Sequence, residues 1–415
     1  MVALAAAALW APGFGLNAQG VPIIRIGLAA GLDQAEITQG GQTCIARSMG
    51  RPAKLRSVVA VERARPDEAS VQAALAAWRI RGHAQARPVE RGAVYSFGDG
   101  VVDTRVVWIG VADPGEGARG PSLQVVETPP TGLVSMSCAA EPAEAFRLAR
   151  ASFRGVAYPG TLVVALDGAG KLAVMNEVDA ETALASVVPA ETFPSAPAAA
   201  LQAQAVAARN QLLVRLGNRH MGDPFHLCDE THCQVYSPTR RAPSTSAAVA
   251  ATRGEVVSRK GGLVDTVYSA NCGGFPAAPG EVFTDAPGHA GQGAPDLSAP
   301  RRPWCGQTRF GKDKYRWNRS IPEVRVLERG ASGRVVAAEL ADGRVVRGQL
   351  RIRRALGGLP SALFSIRDGH AHGGGYGHGA GMCQVGAIGQ AEAGRGHDAI
   401  LRSYYGDDTR IRRLW

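Results

Sequence analysis

Four stretches of this chain bring together residue types that can do chemistry. A carboxylate, Glu191, closes the apolar run Val187-Val188-Pro189-Ala190 and precedes Thr192-Phe193. Apolar surroundings raise a carboxyl pKa, which suits the group to act as a general acid and then as a base. The stretch His226-Leu-Cys228-Asp-Glu-Thr-His232-Cys233 gathers thiols and imidazoles, the donor types of a tetrahedral zinc ion. Neighbours such as His232 and Cys233 serve one ion only from a turn, because a strand sends them to opposite faces. In an oxidising compartment a Cys228–Cys233 disulfide is the competing reading. The other two stretches are Ser269-Ala-Asn271-Cys272-Gly273-Gly274 and Gly377-His378-Gly-Ala-Gly-Met-Cys383-Gln384. Their glycines allow close backbone approach, and the His378 and Gln384 side chains offer hydrogen bonds. A phosphate cradle is excluded, because the glycine-rich stretch lacks the GK[ST] ending.

These groups need elements to hold them. Directly after Glu191 the run 198–215 is filled with strong helix formers, and Leu201, Ala205, Ala208 and Leu212 recur at helical spacing. Pro194 and Pro197 mark its irregular entry. A shorter helix is expected over 181–187. Strand-like alternation recurs at 23–28, 57–61, 161–166 and 171–175, and again at 321–326, 332–336, 345–352 and 359–364. Between 55 and 112 the order strand, helix, strand, strand forms a compact unit. The expected class is therefore α+β: an accessory α+β region at 21–150, then a mixed domain at 151–415 with short strands around a central helix.

At 415 residues the chain is long enough for two or three domains, and its 45% hydrophobic content is that of a globular protein. A formal charge of +10 favours an anionic partner. No basic run interleaved with aromatics is present, so nucleic acid ranks last. Residues 1–20 begin with a short apolar run, Met1 to Trp10, of signal-peptide length, and no span of transmembrane length is found. Export is the expectation drawn from it. Seven cysteines leave at least one thiol unpaired or bound to metal. Cys44 and Cys138 could pair, as could Cys272 and Cys305.

Pro189-Ala-Glu191, the segment Gln202 to Arg209, Ser269 to Gly274 and Gly377 to Ala387 together resemble the SpoIID/LytB family of peptidoglycan-acting proteins, in order and in spacing. The resemblance covers roughly the last 260 residues. It implies lytic transglycosylation of glycan strands with Glu191 as acid and base. Arg209 would orient Glu191, hold a substrate oxygen or form a structural ion pair. Ser269, Asn271, Gly273, Gly274, His378 and Gln384 would line the sugar site. The same resemblance implies a structural zinc held by Cys228, His232 and Cys233, with His220 as the fourth ligand and His226 as the alternative. Two positions depart from the family pattern: Cys383 stands where serine is usual, and Val385 where tyrosine is usual. The unit at 55–112 is weakly similar to SPOR modules that bind peptide-free glycan. As a rival reading, the LytB name implies a non-catalytic wall-binding protein that enhances a partner amidase. A purely structural wall protein is a third.

Overall fold

The computed structural model describes residues 15–92, 94–97, 100–113, 122–217, 219–220, 223–283, 296–299, 302–310 and 316–415. Helices and strands are mixed along the chain, as expected for α+β. The apolar stretch from Met1 to Trp10 lies outside the described residues, as do residues 114–121. Among the described residues, no helix is long and apolar enough to cross a membrane. The described chain falls into two compact units. One runs through Ala190 and includes Leu212–Arg241 and Leu414–Trp415, and the other comprises Glu191–Gln211 with Ala242–Arg413.

The first unit is built on a sheet in the order Gly15–Leu16, Pro22–Leu32, Leu172–Asp179, Thr161–Leu166, Ala145–Ala149. Pro22–Leu32 runs antiparallel to Leu172–Asp179, from the pair Leu172↔Leu32 to Asp179↔Ile23. The sheet thus draws strands from both sides of residue 150, and alternation in the sequence reveals such strands without naming their partners. A short strand, Leu227–Cys228, joins the same sheet in parallel beside Pro22–Leu32. A second sheet pairs Thr131–Met136 with Gln42–Arg51, and near its end Cys44 and Cys138 form the disulfide that the sequence allowed.

The region at 54–128 has its own sheet, in the order Ser122–Thr128, Lys54–Ala64, Val106–Val111, Arg87–Arg91. Helix α1 (Glu68–Ile80) packs Val71, Ala74 and Leu75 onto it, against Ala64, Val107 and Ile109. Asp67 caps α1 by accepting the Ser70 N–H at 2.8 Å. Such a cap contributes about 1 kcal/mol. Four strands follow α1, Arg87–Arg91, Val94–Phe97, Gly100–Asp103 and Val106–Val111, where two were expected.

In the second unit, the part of helix α3 (Ala198–Arg215) that lies within it packs Ala203, Val206 and Ala207 against Val257, Val264 and Met382. Alanine keeps that face thin, so neighbouring backbone comes close enough to bond to side chains of the helix. Asn210 uses this closeness: its amide donates to the carbonyls of Val257 (2.7 Å) and Val264 (2.9 Å) and accepts the Val257 N–H (2.8 Å). Two three-stranded sheets and α5 (Gln349–Ala355) form a satellite at 316–374, cored by Val335, Ile352, Leu356 and Phe364. Two further helices, α6 (Gln384–Glu392) and α7 (His397–Tyr405), close the unit, and Arg410–Arg413 pairs with Glu255–Arg259.

Candidate functional site

Glu191 is the last residue of helix α2 (Ala180–Glu191), which runs through Pro189 instead of stopping at Val187. Proline is expected to break a helix interior. Here only two residues follow it, so the loss is confined to the last turn. Glu191 is half-buried at that helix end. The Gln384 side chain donates to its backbone carbonyl at 2.9 Å and to Gln204 Oε1 at 3.2 Å. Gln384 starts α6, and just before it Met382–Cys383 pairs in parallel with Tyr268–Ser269. The Val385 N–H donates to the Ala270 carbonyl at 3.1 Å. Asn271 and Tyr376 exchange backbone bonds at 3.1 and 2.8 Å. Two motifs separated by more than a hundred residues thus meet backbone to backbone, and one of them reaches the carbonyl of Glu191.

Not every residue singled out in the sequence faces the same way. Ser269 is 5% exposed and Asn271 has no exposed surface. The Asn271 Oδ1 accepts the Gly273 N–H at 2.9 Å, so this residue shapes the turn. Gly273 is half-buried and Gly274 buried, both with positive φ. Ser269 Oγ, Asn271 Nδ2 and Gln204 Nε2 are buried without a hydrogen-bond partner among the described residues. His378 is half-buried, accepts the Ala380 N–H on Nδ1 at 3.1 Å and sets its ring edge toward Phe283, with centroids 5.3 Å apart.

The glycines of this motif do something the sequence reading missed. Gly379 and Gly381 have φ of +75° and +69°. A Cβ on Gly381 would lie 1.8 Å from the Val267 carbonyl oxygen, and one on Gly379 would lie 2.1 Å from the Arg334 guanidinium. Their smallness lets the loop pack against protein.

Arg209 is wholly enclosed and donates to the carbonyls of Glu255 (3.1 Å) and Val249 (3.4 Å), at the end of α4 (Pro243–Ala251) and the start of Glu255–Arg259.

The metal-ligand types converge in the first unit. His220, Cys228, His232 and Cys233 bring one donor atom each to within 4.8 Å of one another. Cys228 ends the strand beside Gly27, and the chain then turns, with the Cys233 N–H on the Glu230 carbonyl (3.0 Å) and the Tyr236 N–H on the Asp229 carbonyl (3.1 Å). The turn puts His232 and Cys233 on one side, as chelation by neighbours requires. His232 Nδ1 lies 3.6 Å from each of the Cys228 and Cys233 sulfurs, and His220 Nε2 lies 3.4 Å from Cys233 Sγ. Zinc bonds of about 2.3 Å to sulfur and about 2.0 Å to nitrogen at a tetrahedral angle give sulfur–nitrogen edges of about 3.5 Å. The donor set fits a zinc-sized tetrahedral ion. Outer partners orient both rings: Asp223 Oδ2 at 3.0 Å from His220 Nδ1, and the Arg219 guanidinium at 3.1 Å from His232 Nε2. Burial, with Arg219 adding to it, holds His232 below its ordinary pKa, toward the neutral ring that a metal binds. His226 stands apart from the cluster, since its Nδ1 accepts the Arg25 N–H at 2.9 Å. The fourth donor is thus His220. Cys228 and Cys233 are unbridged.

Comparison with known proteins agrees with the resemblance carried by the motifs. Residues 168–258 match the family model described as Stage II sporulation protein (SpoIID), and residues 307–381 match one described as a domain of unknown function (DUF8618). The chain is 29% identical over 266 residues to an uncharacterized protein of Brachyspira hyodysenteriae, covering 61% of this chain and 72% of that one. It is 23% identical over 287 residues to a Bacillus subtilis protein named amidase enhancer, covering 54% of this chain and 40% of the relative. Glu191, Arg209 and the four clustered residues His220, Cys228, His232 and Cys233 all lie within the SpoIID match.

Proposed function

Starting from a chain whose residues 168–258 are a SpoIID-family segment, we propose that it is an exported peptidoglycan lytic transglycosylase acting on glycan strands, with peptide-free strands preferred. The observation that carries this reading is the meeting of motifs at Glu191: a carboxylate at a helix end, its carbonyl held by Gln384 beside the pair Ser269↔Cys383.

In this reading Glu191 first donates its proton to the glycosidic oxygen after N-acetylmuramic acid, and the bond to the anomeric carbon breaks. The resulting carboxylate then takes the proton of the same sugar's 6-hydroxyl, whose oxygen closes on the anomeric carbon. The product ends in a 1,6-anhydro ring, and Glu191 is protonated again. One carboxyl suffices because the nucleophile belongs to the substrate, whereas hydrolases commonly use two carboxyls. Ser269, His378 and Gly273 are the proposed sugar contacts, with Asn271, Gly274, Arg209 and Gln384 positioning them and Glu191. Zinc on His220, Cys228, His232 and Cys233 would pin the turn at 228–236 and take no part in the reaction. Peptide-free strands carry a carboxylate on each muramic residue, which matches the +10 charge of the chain. The 55–112 unit, with its sheet and single helix, is a proposed second glycan contact.

The test is digestion of purified peptide-free strands by the wild type and Glu191→Gln, with products read by mass spectrometry. Anhydro-muramic ends that vanish in the variant are the expected result, and reducing ends would mean hydrolysis. The name of the Bacillus subtilis relative supports a second reading, a wall-binding enhancer of an amidase. In that case strands are bound but not cut, and Glu191→Gln stimulates a partner amidase as well as wild type does.

A further inference from the structure

The second unit holds another cluster of donors, buried and remote in sequence from the first. Cys272, Asp296, Cys305 and Cys383 bring one ligand atom each to within 4.8 Å of one another. Cys272, Cys305 and Cys383 have no exposed surface, and Asp296 is 7% exposed. Cys272 and Cys305, which the sequence allowed to pair, are not bonded: the two sulfurs lie 3.8 Å apart. A bonded pair stands at about 2.05 Å. Two thiolates sharing one tetrahedral zinc stand about 3.8 Å apart. The Cys272 Sγ to Asp296 Oδ2 distance, 3.5 Å, is likewise that of a sulfur–oxygen edge around one ion. With metal–oxygen bonds of about 2.0 Å that edge is about 3.5 Å.

We propose that Cys272, Asp296, Cys305 and Cys383 form a second, structural site for a tetrahedral divalent ion of the zinc class. Cysteine arithmetic supports it. Cys44 and Cys138 are bonded to each other, and Cys228 and Cys233 belong to the first cluster, so three sulfurs remain in one pocket. A disulfide there would strand the third thiol, while an ion employs all three with the carboxylate.

The surroundings are those of bound thiolates. Cys383 Sγ accepts the N–H groups of Cys272 and Gly386, each at 3.2 Å, and Cys272 Sγ accepts the Gly274 N–H at 3.3 Å. Such bonds favour the charged form of sulfur and orient it, as outer partners of metal ligands do. Cys383 also caps α6, whose N-terminus favours negative charge. The Tyr404 hydroxyl donates to Asp296 Oδ2 at 3.0 Å. The buried Arg334 guanidinium donates to the Cys272 carbonyl at 2.7 Å, supplying positive charge beside a site whose ligands outweigh a dication. The donors come from four separate segments: the CGG turn, the chain at Asp296, the one-turn helix Trp304–Gln307 and the strand leading into Gln384. An ion here would lock Gln384, and through it the carbonyl of Glu191, to the CGG turn.

Metal content of the purified full chain, grown with zinc, gives the test. Two zinc ions per chain are expected, falling to one in Cys383→Ser and to one in Cys228→Ser, each variant losing a different ion. Serine is the residue usual at this motif position, so Cys383→Ser keeps the volume and is expected to fold. A wild type whose zinc count is unchanged by Cys383→Ser overturns the second site whatever happens at the first. Thiol mapping of unreduced wild type decides independently of any variant. Alkylation of Cys272, Cys305 and Cys383 only after chelation supports the proposal, and a Cys272–Cys305 disulfide peptide overturns it.

Discussion

At the scale of single residues, the bond from Gln384 to the Glu191 carbonyl separates two effects that a catalytic-motif substitution usually confounds. Glu191→Gln keeps shape and burial and removes only the proton that can be donated, so strand cutting should fall by at least about 10²-fold while strand affinity stays unchanged. Gln384→Ala leaves the Glu191 carbonyl and Gln204 Oε1 each short of a donor. That should cost about 1–3 kcal/mol of stability by denaturant titration and lower kcat more than it changes KM. Equal loss in both variants with no change in stability would mean that Gln384 touches substrate instead of holding Glu191.

At the scale of elements, the loop before α6 and the helix α3 carry the site, and each tolerates little. Gly381→Ala combines a positive φ with a Cβ placed 1.8 Å from a carbonyl oxygen. A loss of about 3 kcal/mol or more is expected from strain and displaced backbone, read as a lower midpoint in urea. Arg209→Met keeps the stem of the side chain but leaves the Glu255 and Val249 carbonyls without that donor. It should destabilise by about 2 kcal/mol and reduce strand cutting in proportion to the folded fraction. A larger fall in activity than in folded protein would show that Arg209 acts on Glu191 itself.

At the scale of the whole molecule, covalent and ionic ties supplement the cores. The Cys44–Cys138 bridge closes a separation of 94 residues. Its removal in a Cys44→Ser, Cys138→Ser double variant should cost about 2–5 kcal/mol, visible as a lower Tm. Charge is the other global property. With a formal +10, binding to peptide-free strands should weaken steadily as salt rises, because ions screen a polyanion from a basic surface. Binding that is flat between low and physiological salt would place recognition in neutral sugar contacts alone.

Local patterns decided what could be read without coordinates. The helix after Glu191, strands such as Thr161–Leu166, the α+β class and the cluster Cys228-His232-Cys233 depend on neighbours in the chain, and periodicity and residue type report these directly, whereas the strand read over 345–352 gives way to helix from Gln349. What folding decided depends on partners far along the chain. Pro22–Leu32 joining the sheet of Leu172–Asp179, His220 completing the donor set while His226 bonds Arg25, and Asn271 turning inward all rest on such partners. So does the convergence of three cysteines with Asp296, drawn from segments whose spacing carries no ligand signature. A side chain's chemistry belongs to its residue, but its burial and partners belong to the packed structure, because contact is set by distance in space and the sequence records only distance along the chain.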